Sequence, residues 1–399
     1  MKLLIADKLE QEAIVALKEI QGLEVISNPT LAKEDLPSAL DGVNILVVRS
    51  KEVRRAAIEA GKSLALIVRA GAGTNTIDVE AASERGVYVA NCPGKNAIAV
   101  AELAIGMILA IDRRLPDATR TLQAGAWEKG EFGKADGLYG KRLGIAGFGA
   151  IGREVTHRAR ALGMKVHGYD VVKHHFESHG AMFVPSLEEL AAQSDVFSIH
   201  LPLTKDTRHA INAKVLGALP QRAIVVNTSR SEVLDYDALA EAIKTRGLRV
   251  GLDVFPSEPE GGKAQYTHPI LASASVATPH IGASTQQAQL AIAAETVRIV
   301  RSFLESGDVP NCVNVSAGSP ARCQLVVRHY DRVGVLATVL AVIKRHGINV
   351  GEMTNSPFAG NKAACAKLRL AQFPSAACLA EIEGSSSDVI HVEAIPVSA

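Results

Sequence analysis

The stretch TPHIGAST (residues 278–285) sets His280 between Pro279, which stiffens the chain before it, and Gly282, which lets other atoms come close. A histidine in that position either punctuates a loop or is placed at a reacting atom, where a pKa near 6.5 lets it exchange a proton. NTSRS (227–231) and LDVFPSEP (252–259) are two further stretches rich in polar and charged groups. All three follow predicted strands, and ligands of open α/β sheets gather beyond strand C-termini.

A fourth stretch, LGIAGFGAIGREV, spaces Gly147, Gly149 and Gly152 as G-x-G-x-x-G. An apolar strand precedes it, a helix follows, and Asp170 ends the next strand, KVHGYD. That context is what a dinucleotide site requires. Gly147 permits the tight turn, Gly149 leaves room for a pyrophosphate, and Gly152 lets helix and strand approach. The helix start at Ala150 and Ile151 offers backbone N–H groups and a partial positive charge. Asp170 suits the adenosine ribose hydroxyls and repels a 2′-phosphate, which favours NAD over NADP; Lys173 nearby opposes that preference.

Positioning these residues takes alternating strands and helices. Strands are predicted at Lys2–Ala6, Val43–Val48 and Leu64–Val68, with helices at Glu10–Ile20 and Val53–Ala60. The rhythm restarts after Gly140, with strands at Arg142–Ala146, Lys165–Tyr169, Asp195–His200, Ala223–Asn227, Arg249–Leu252 and Ser275–Ala277. Helices follow at Asp237–Arg246 and Ser284–Glu305, and an apolar helix from Ala97 to Ile111 joins the two α/β units. A Gly/Ser/Pro-rich linker, Ser306–Ala321, leads to a β-α-β-β-α-β module of ferredoxin-like order. The expected fold is therefore α/β: two doubly wound parallel-sheet lobes, Rossmann-type and flavodoxin-like, followed by a small ferredoxin-like domain. The boundaries read as 1–96 with 284–312 for a discontinuous substrate lobe, 97–283 for the nucleotide lobe, and 322–399 for the terminal module.

Composition narrows the function classes. A net charge of +1 gives no field for nucleic acid or an anionic membrane. The longest apolar run contains Glu102 and is too short to span a bilayer. The opening MKLLIADKLE meets Asp7 too early for a signal-peptide core. Five cysteines, an odd number without C-x-x-C, fit a reduced compartment, and the cytoplasm is the expected location.

Taken together, the glycine fingerprint, NTSRS, LDVFPSEP and TPHIGAST resemble the D-isomer-specific 2-hydroxyacid dehydrogenases in order and spacing, over essentially the whole chain. The resemblance implies NAD-dependent oxidation of a 2-hydroxy acid with Arg230, Glu258 and His280 at the catalytic positions. His280 then takes the hydroxyl proton, Glu258 orients the imidazole and raises its pKa, and Arg230 grips the carboxylate. The same likeness puts Thr228, Ser229, Asp253 and the turn His280, Ile281, Gly282, Ala283 around the nicotinamide. Ser231 departs from the glycine usual after the arginine. No metal is required.

VRSKEV and RAGAGTN point to the substrate. Gly71 and Gly73, with Asn75, expose backbone N–H groups to a carboxylate. The family resemblance matches Arg49 and Lys51 to phosphate-reading cations and Lys129 to a lysine reaching a neighbouring subunit's site. The implied substrate is 3-phospho-D-glycerate, oxidised to 3-phosphooxypyruvate at the entry to serine synthesis, by a homodimer or homotetramer. HYDRVGVLATVLAVIKRHGINVGEM is similar to the start of an ACT module. There His329, Asn349 and the position of Asp331, usually asparagine, hold an effector amino acid such as serine, with Gly334 before the helix. Another D-2-hydroxyacid reductase and a non-catalytic NADH sensor are the alternatives. His174, His175 and His179 lack further ligands for zinc, and Cys92 reads as core packing.

Overall fold

The computed structural model describes residues 1–172, 176–259, 263–316 and 321–397. Lys173, His174 and His175 lie outside them, as do residues 317–320 of the expected linker. The chain divides into two compact units, Met1–Asn314 and Val315–Ala399.

Two all-parallel sheets build the first unit. One contains β1 (Lys2–Ile5), β2 (Glu24–Ser27), β3 (Ile45–Val48), β4 (Leu66–Arg69) and β5 (Tyr88–Asn91), in the order β2-β1-β3-β4-β5. This is the flavodoxin-like order. The second contains β6 (Arg142–Ala146), β7 (Lys165–Tyr169), β8 (Ala181–Phe183), β9 (Val196–Ile199), β10 (Ile224–Asn227), β11 (Arg249–Leu252) and β12 (Val276–Ala277). Its order, β12-β11-β10-β9-β6-β7-β8, is the Rossmann arrangement extended by one strand. Central strands such as β3, β9 and β10 are buried along their whole length, because helices cover both faces. On the first sheet, Leu3, Ile5, Ile45 and Val47 pack against Ile292, Ile299 and Val300 of the helix Gln286–Ser306. The chain thus returns to its first sheet after completing the second. The helix Ala97–Asp112 does more than connect. Ala104, Met107, Ile108 and Ile111 share one core with Ile145, Val196 and Val226 of the second sheet, so this helix is one of that sheet's covering elements.

Three strands are additional to those expected from sequence. The edge strands β2 and β8 are short and largely exposed, and β5 (YVAN) has only two adjacent buried residues, too brief to register as a run. The helices Leu115–Gln123 and Lys129–Phe132 bury none of their residues, and Leu115 and Leu122 of the first lie exposed.

The second unit contains β13 (Cys323–Tyr330), β14 (Val350–Pro357), β15 (Ala363–Leu370) and β16 (Val389–Pro396), antiparallel in the order β14-β15-β13-β16. Cys323, Leu325 and Val327 alternate inward. They meet Val339, Val342 and Ile343 of the helix Val335–Arg345, and Cys378 and Ile382 of the helix Ala376–Gly384. This is the ferredoxin-like arrangement.

Candidate active site

The C-terminal ends of β6, β10, β11 and β12 carry all four stretches singled out from sequence. Gly147 has φ 97°, and a Cβ there would fall 2.7 Å from the carbonyl group of His200. At Gly152 a Cβ would meet the Gly147 carbonyl oxygen at 2.3 Å, so the helix Ala150–Ala161 packs as closely as glycine permits. Gly149 differs: its Cβ direction is open to 4 Å, which leaves clearance in front of the helix N-terminus at Ala150 and Ile151. Asp170 Oδ2 accepts the Phe148 N–H at 2.8 Å, and Oδ1 accepts the Val172 N–H at 3.0 Å. Two backbone donors therefore hold a carboxylate at the end of β7. Open glycine, helix N-terminus and fixed acid together fit a dinucleotide.

Asp253, buried at the end of β11, organises the histidine turn. Its Oδ1 accepts the Thr278 hydroxyl at 2.6 Å and the Ile281 N–H at 2.8 Å; Oδ2 accepts the Gly282 N–H at 2.8 Å. The His280 N–H donates to the Asp253 carbonyl at 2.8 Å. These bonds hold His280 at φ 51°, a left-handed conformation uncommon for a residue other than glycine. Burial pushes the Asp253 carboxyl up, against the bonds from Thr278, Ile281 and Gly282.

His280 Nδ1 lies 2.6 Å from Glu258 Oε2, while Glu258 Oε1 accepts the Phe255 N–H at 2.8 Å. The Glu258 contact raises the imidazole pKa, against burial and the charge of Arg230. Burial pushes the Glu258 carboxyl up, but the bonds from His280 and Phe255 outweigh it, and the net shift is downward. A carboxylate only accepts, so it fixes the proton on Nδ1 and leaves the Nε2 lone pair for a substrate hydroxyl.

Arg230 is placed by a residue not selected from sequence. Asn227, fully buried at the end of β10, accepts the Ser229 N–H and hydroxyl on its Oδ1. Its Nδ2 donates to the Arg230 carbonyl at 3.0 Å. Ser231 begins a short 3-10 turn after an extended Arg230, a backbone that any L-residue adopts, so the departure from glycine introduces no strain. The Arg230 guanidinium donates to the Ser229 carbonyl, and its Nη2 lies where a Cβ on Gly73 would come within 2.4 Å. The Gly71–Asn75 loop after β4 therefore meets the guanidinium at closest range. Thr228 Oγ1, also buried here, has no hydrogen-bond partner among the described residues.

Arg69, at the end of β4, belongs to the same cluster. Burial lowers its pKa to about 10, with further lowering from the charges of Arg230 and Arg49. Asp7 Oδ2 accepts the N–H groups of Arg49, Ser50 and Lys51, which fixes the turn after β3. The Lys51 ammonium donates to the Leu31 carbonyl, so this lysine faces its own lobe at least in part.

Residues 105–282 match the family described as D-isomer specific 2-hydroxyacid dehydrogenase, NAD binding domain. A hydroxypyruvate reductase of Thermotoga maritima is 42% identical over 303 residues, 75% of this chain and 97% of that protein. The chain belongs to the D-isomer-specific 2-hydroxyacid dehydrogenases. Within that family, a D-3-phosphoglycerate dehydrogenase of Methanocaldococcus jannaschii is 40% identical over 320 residues, 79% of this chain. The chain spans 60% of the length of that relative. A cofactor(NAD+)-bound 3-phosphoglycerate dehydrogenase of Entamoeba histolytica superposes with a TM-score of 0.67 at 30% identity, covering 79% of this chain and 99% of that one. NAD is thus the cofactor of this family member's second sheet.

Lys129 is exposed at the start of its short helix. In the second unit His329 is 1% exposed, with Nδ1 2.7 Å from the Tyr330 carbonyl and Nε2 3.1 Å from Asn355 Oδ1. Both ring nitrogens are thus engaged inside that unit, whereas Asp331 and Asn349 are exposed. Cys92 is fully buried, and burial raises its thiol pKa, as suits packing. Among the described residues no group of three or more His, Cys, Asp or Glu side chains is arranged to hold a metal, and no helix is long and apolar enough to cross a membrane.

Proposed function

We propose that this protein oxidises 3-phospho-D-glycerate to 3-phosphooxypyruvate, the first step of serine synthesis, with His280 as acid/base. The observation that carries the reading is the His280–Glu258 pair at 2.6 Å within the electrostatic reach of Arg230. His280 Nε2 takes the C2 hydroxyl proton, Glu258 fixes the tautomer, and Arg230 holds the carboxylate and polarises the C2 oxygen. NAD, when bound, supplies the hydride acceptor. Thr228, Ser229 and the turn His280–Ala283 line the nicotinamide side, with Asp253 shaping that turn from below. Gly71, Gly73 and Asn75 present backbone to the substrate carboxylate, and Arg49 and Arg69 favour a phosphorylated substrate, because their charges accumulate beside Arg230. Residues 1–96 with 284–312 act as the substrate lobe and 97–283 as the NAD lobe, with closure between them during turnover.

The module 322–399 is read as an ACT regulator. The exposed Asp331 and Asn349 offer side chains to an amino acid such as serine, and the buried His329 ties the end of β13 to Asn355 of β14. Exposed Leu122, Trp127 and Tyr139 support assembly into a homodimer or homotetramer in the cytoplasm, with Lys129 reaching a neighbouring subunit. A second reading, reduction of an unphosphorylated 2-oxo acid such as hydroxypyruvate, draws support from the engagement of Lys51 with Leu31.

Steady-state assays of NADH formation from 3-phosphoglycerate and of NADH consumption with hydroxypyruvate, each with and without serine, separate the readings. Phosphoglycerate should give the higher kcat/KM, and Arg49→Ala should erase that preference. A preference for hydroxypyruvate that survives this substitution overturns the first reading.

A further inference from the structure

Two tyrosines outside the groups assigned above stand against the loop that carries Glu258. Tyr236 opens the helix Tyr236–Arg246, and its hydroxyl donates to the Val254 carbonyl at 2.5 Å. Tyr266, beyond the loop, donates to the Pro256 carbonyl at 2.8 Å. These are alternate carbonyls of the segment between Asp253 and Glu258, one on each side of Phe255. Both tyrosines pack on the core that lines one face of the second sheet. The Tyr266 ring lies parallel to His268 (centroids 6.5 Å, planes 3° apart), Tyr236 meets His268 edge-on at 5.8 Å, and Phe255 sits 5.7 Å from Tyr266. The hydroxyls are thus held by a packed aromatic group rather than by exposed, freely rotating side chains.

The loop needs such restraint. Residues 253–259 form neither helix nor strand, and Ser257 adopts φ 54°, which a serine keeps only where its surroundings over-determine it. The Phe255 N–H in turn fixes Glu258 Oε1. We propose that Tyr236 and Tyr266 are positioning residues: by clamping the Val254 and Pro256 carbonyls they orient Phe255, whose N–H holds Glu258 against His280. The inference rests on the acid/base reading of His280. Burial, and then the charge of Glu258, push both phenol pKa values up, with Glu232 also acting on Tyr236, so both hydroxyls stay protonated donors. The charged groups acting on His280 are Glu258, Asp253 and Arg230.

The test uses the full chain carrying Tyr236→Phe, Tyr266→Phe and both. Each ring is kept and only the hydroxyl is lost. In hydroxy-acid oxidation, kcat/KM rises with pH as His280 loses its proton, and the midpoint of that rise reports its pKa in the free enzyme. Each variant should lower kcat roughly three- to tenfold and move the midpoint down by roughly half a pH unit, more in the double variant. NAD affinity by fluorescence titration should stay within twofold. Lost rate with an unmoved midpoint indicates a merely structural role and overturns the proposal, as does an unchanged rate. Should Tyr236→Phe not fold, Tyr266→Phe carries the test alone. His280→Ala and Glu258→Gln run in parallel: if neither changes the pH profile, the acid/base reading itself has failed. If they change it and the tyrosine variants do not, only the clamp has failed.

Discussion

Replacing Glu258 by glutamine should disable the site through two separable effects. Glu258 Oε1 accepts the Phe255 N–H, and Oε2 faces His280 Nδ1 at 2.6 Å. Glutamine keeps one carbonyl oxygen, which the Phe255 N–H claims. Its NH2 group then faces His280 and can only donate, driving the imidazole to the tautomer with a protonated Nε2. That tautomer has no lone pair for a substrate hydroxyl. The second effect is loss of charge. The two side chains are 47% and 31% exposed, so solvent screens the pair strongly. Charge centres about 4 Å apart at an effective dielectric of roughly 40–80 interact by about 1–2 kcal/mol, or about one pH unit. Glu258 raises the His280 pKa, so its removal moves the midpoint of oxidation toward lower pH. We expect the Glu258→Gln profile of kcat/KM against pH to fall by about one unit at its acid midpoint. Its plateau should drop roughly a hundredfold or more, less than the ~10⁴ that a comparable tautomer error costs a buried serine-protease triad. NAD affinity should be unchanged. A plateau within threefold of the parent, with the midpoint in place, would refute the assignment of Glu258 as the partner that sets tautomer and basicity.

Gly149→Ala should leave the melting temperature unchanged, because its Cβ meets nothing in the protein, yet weaken NAD binding at least about tenfold in calorimetric titration. Gly152→Ala should do the reverse at first sight, lowering thermal stability by about 2 kcal/mol or more, since its Cβ would overlap the Gly147 carbonyl. Asp253→Asn replaces one acceptor oxygen by a donor facing a backbone N–H; we expect a loss of about 2–3 kcal/mol in denaturant unfolding, together with loss of turnover. Glu295, 6% exposed, is bonded by Arg298, Lys95 and Asn311, and its pKa is lowered to about 2 from 4.5. Its contribution is complete above pH 4.5 and disappears as pH falls toward 2, on the order of 3 kcal/mol. Unfolding curves of Glu295→Gln and the parent should therefore converge across that interval.

The parts of this molecule legible in its sequence are those coded by short-range pattern. Strand, glycine turn and helix are contiguous around Gly147, and the buried runs of β6, β10 and β11 announce themselves without help from the rest of the chain. What stayed hidden depends on partners distant in sequence. Asp7 shows no link to the substrate loops until the fold brings it to the N–H groups of residues 49–51, more than forty positions away. Asn227 lies inside a quoted motif, but its importance comes from pointing back at Ser229 and Arg230, which no spacing rule reveals. Asp253 was expected beside the cofactor; its side chain bonds to Thr278, Ile281 and Gly282, so its first effect is on the shape of the histidine turn. His329, expected at an effector, lies on the inward face of β13 and meets Asn355 of β14, a pairing that only the strand register reveals.

The first unit divides its labour between its two sheets. Arg230, Glu258 and His280 all sit on loops of the second sheet, each fixed by buried neighbours: Asn227 for the arginine, Phe255 for the glutamate, Asp253 for the histidine. The first sheet contributes cations and glycines rather than acid/base groups. Its Arg69 is half-buried, with a pKa lowered to about 10 by desolvation and by the charges of Arg230 and Arg49, and its Nε has no hydrogen-bond partner among the described residues. Asp7, whose charge acts on Arg69, is committed to three backbone N–H groups. Like charges gathered at partial burial cost stability unless an anion relieves them. A substrate with a carboxylate alone would answer Arg230 and leave the charges of Arg49 and Arg69 unrelieved. A substrate with a second anionic group about one carbon chain away answers all three, which is why the charge arrangement of the first sheet argues for the phosphorylated acid.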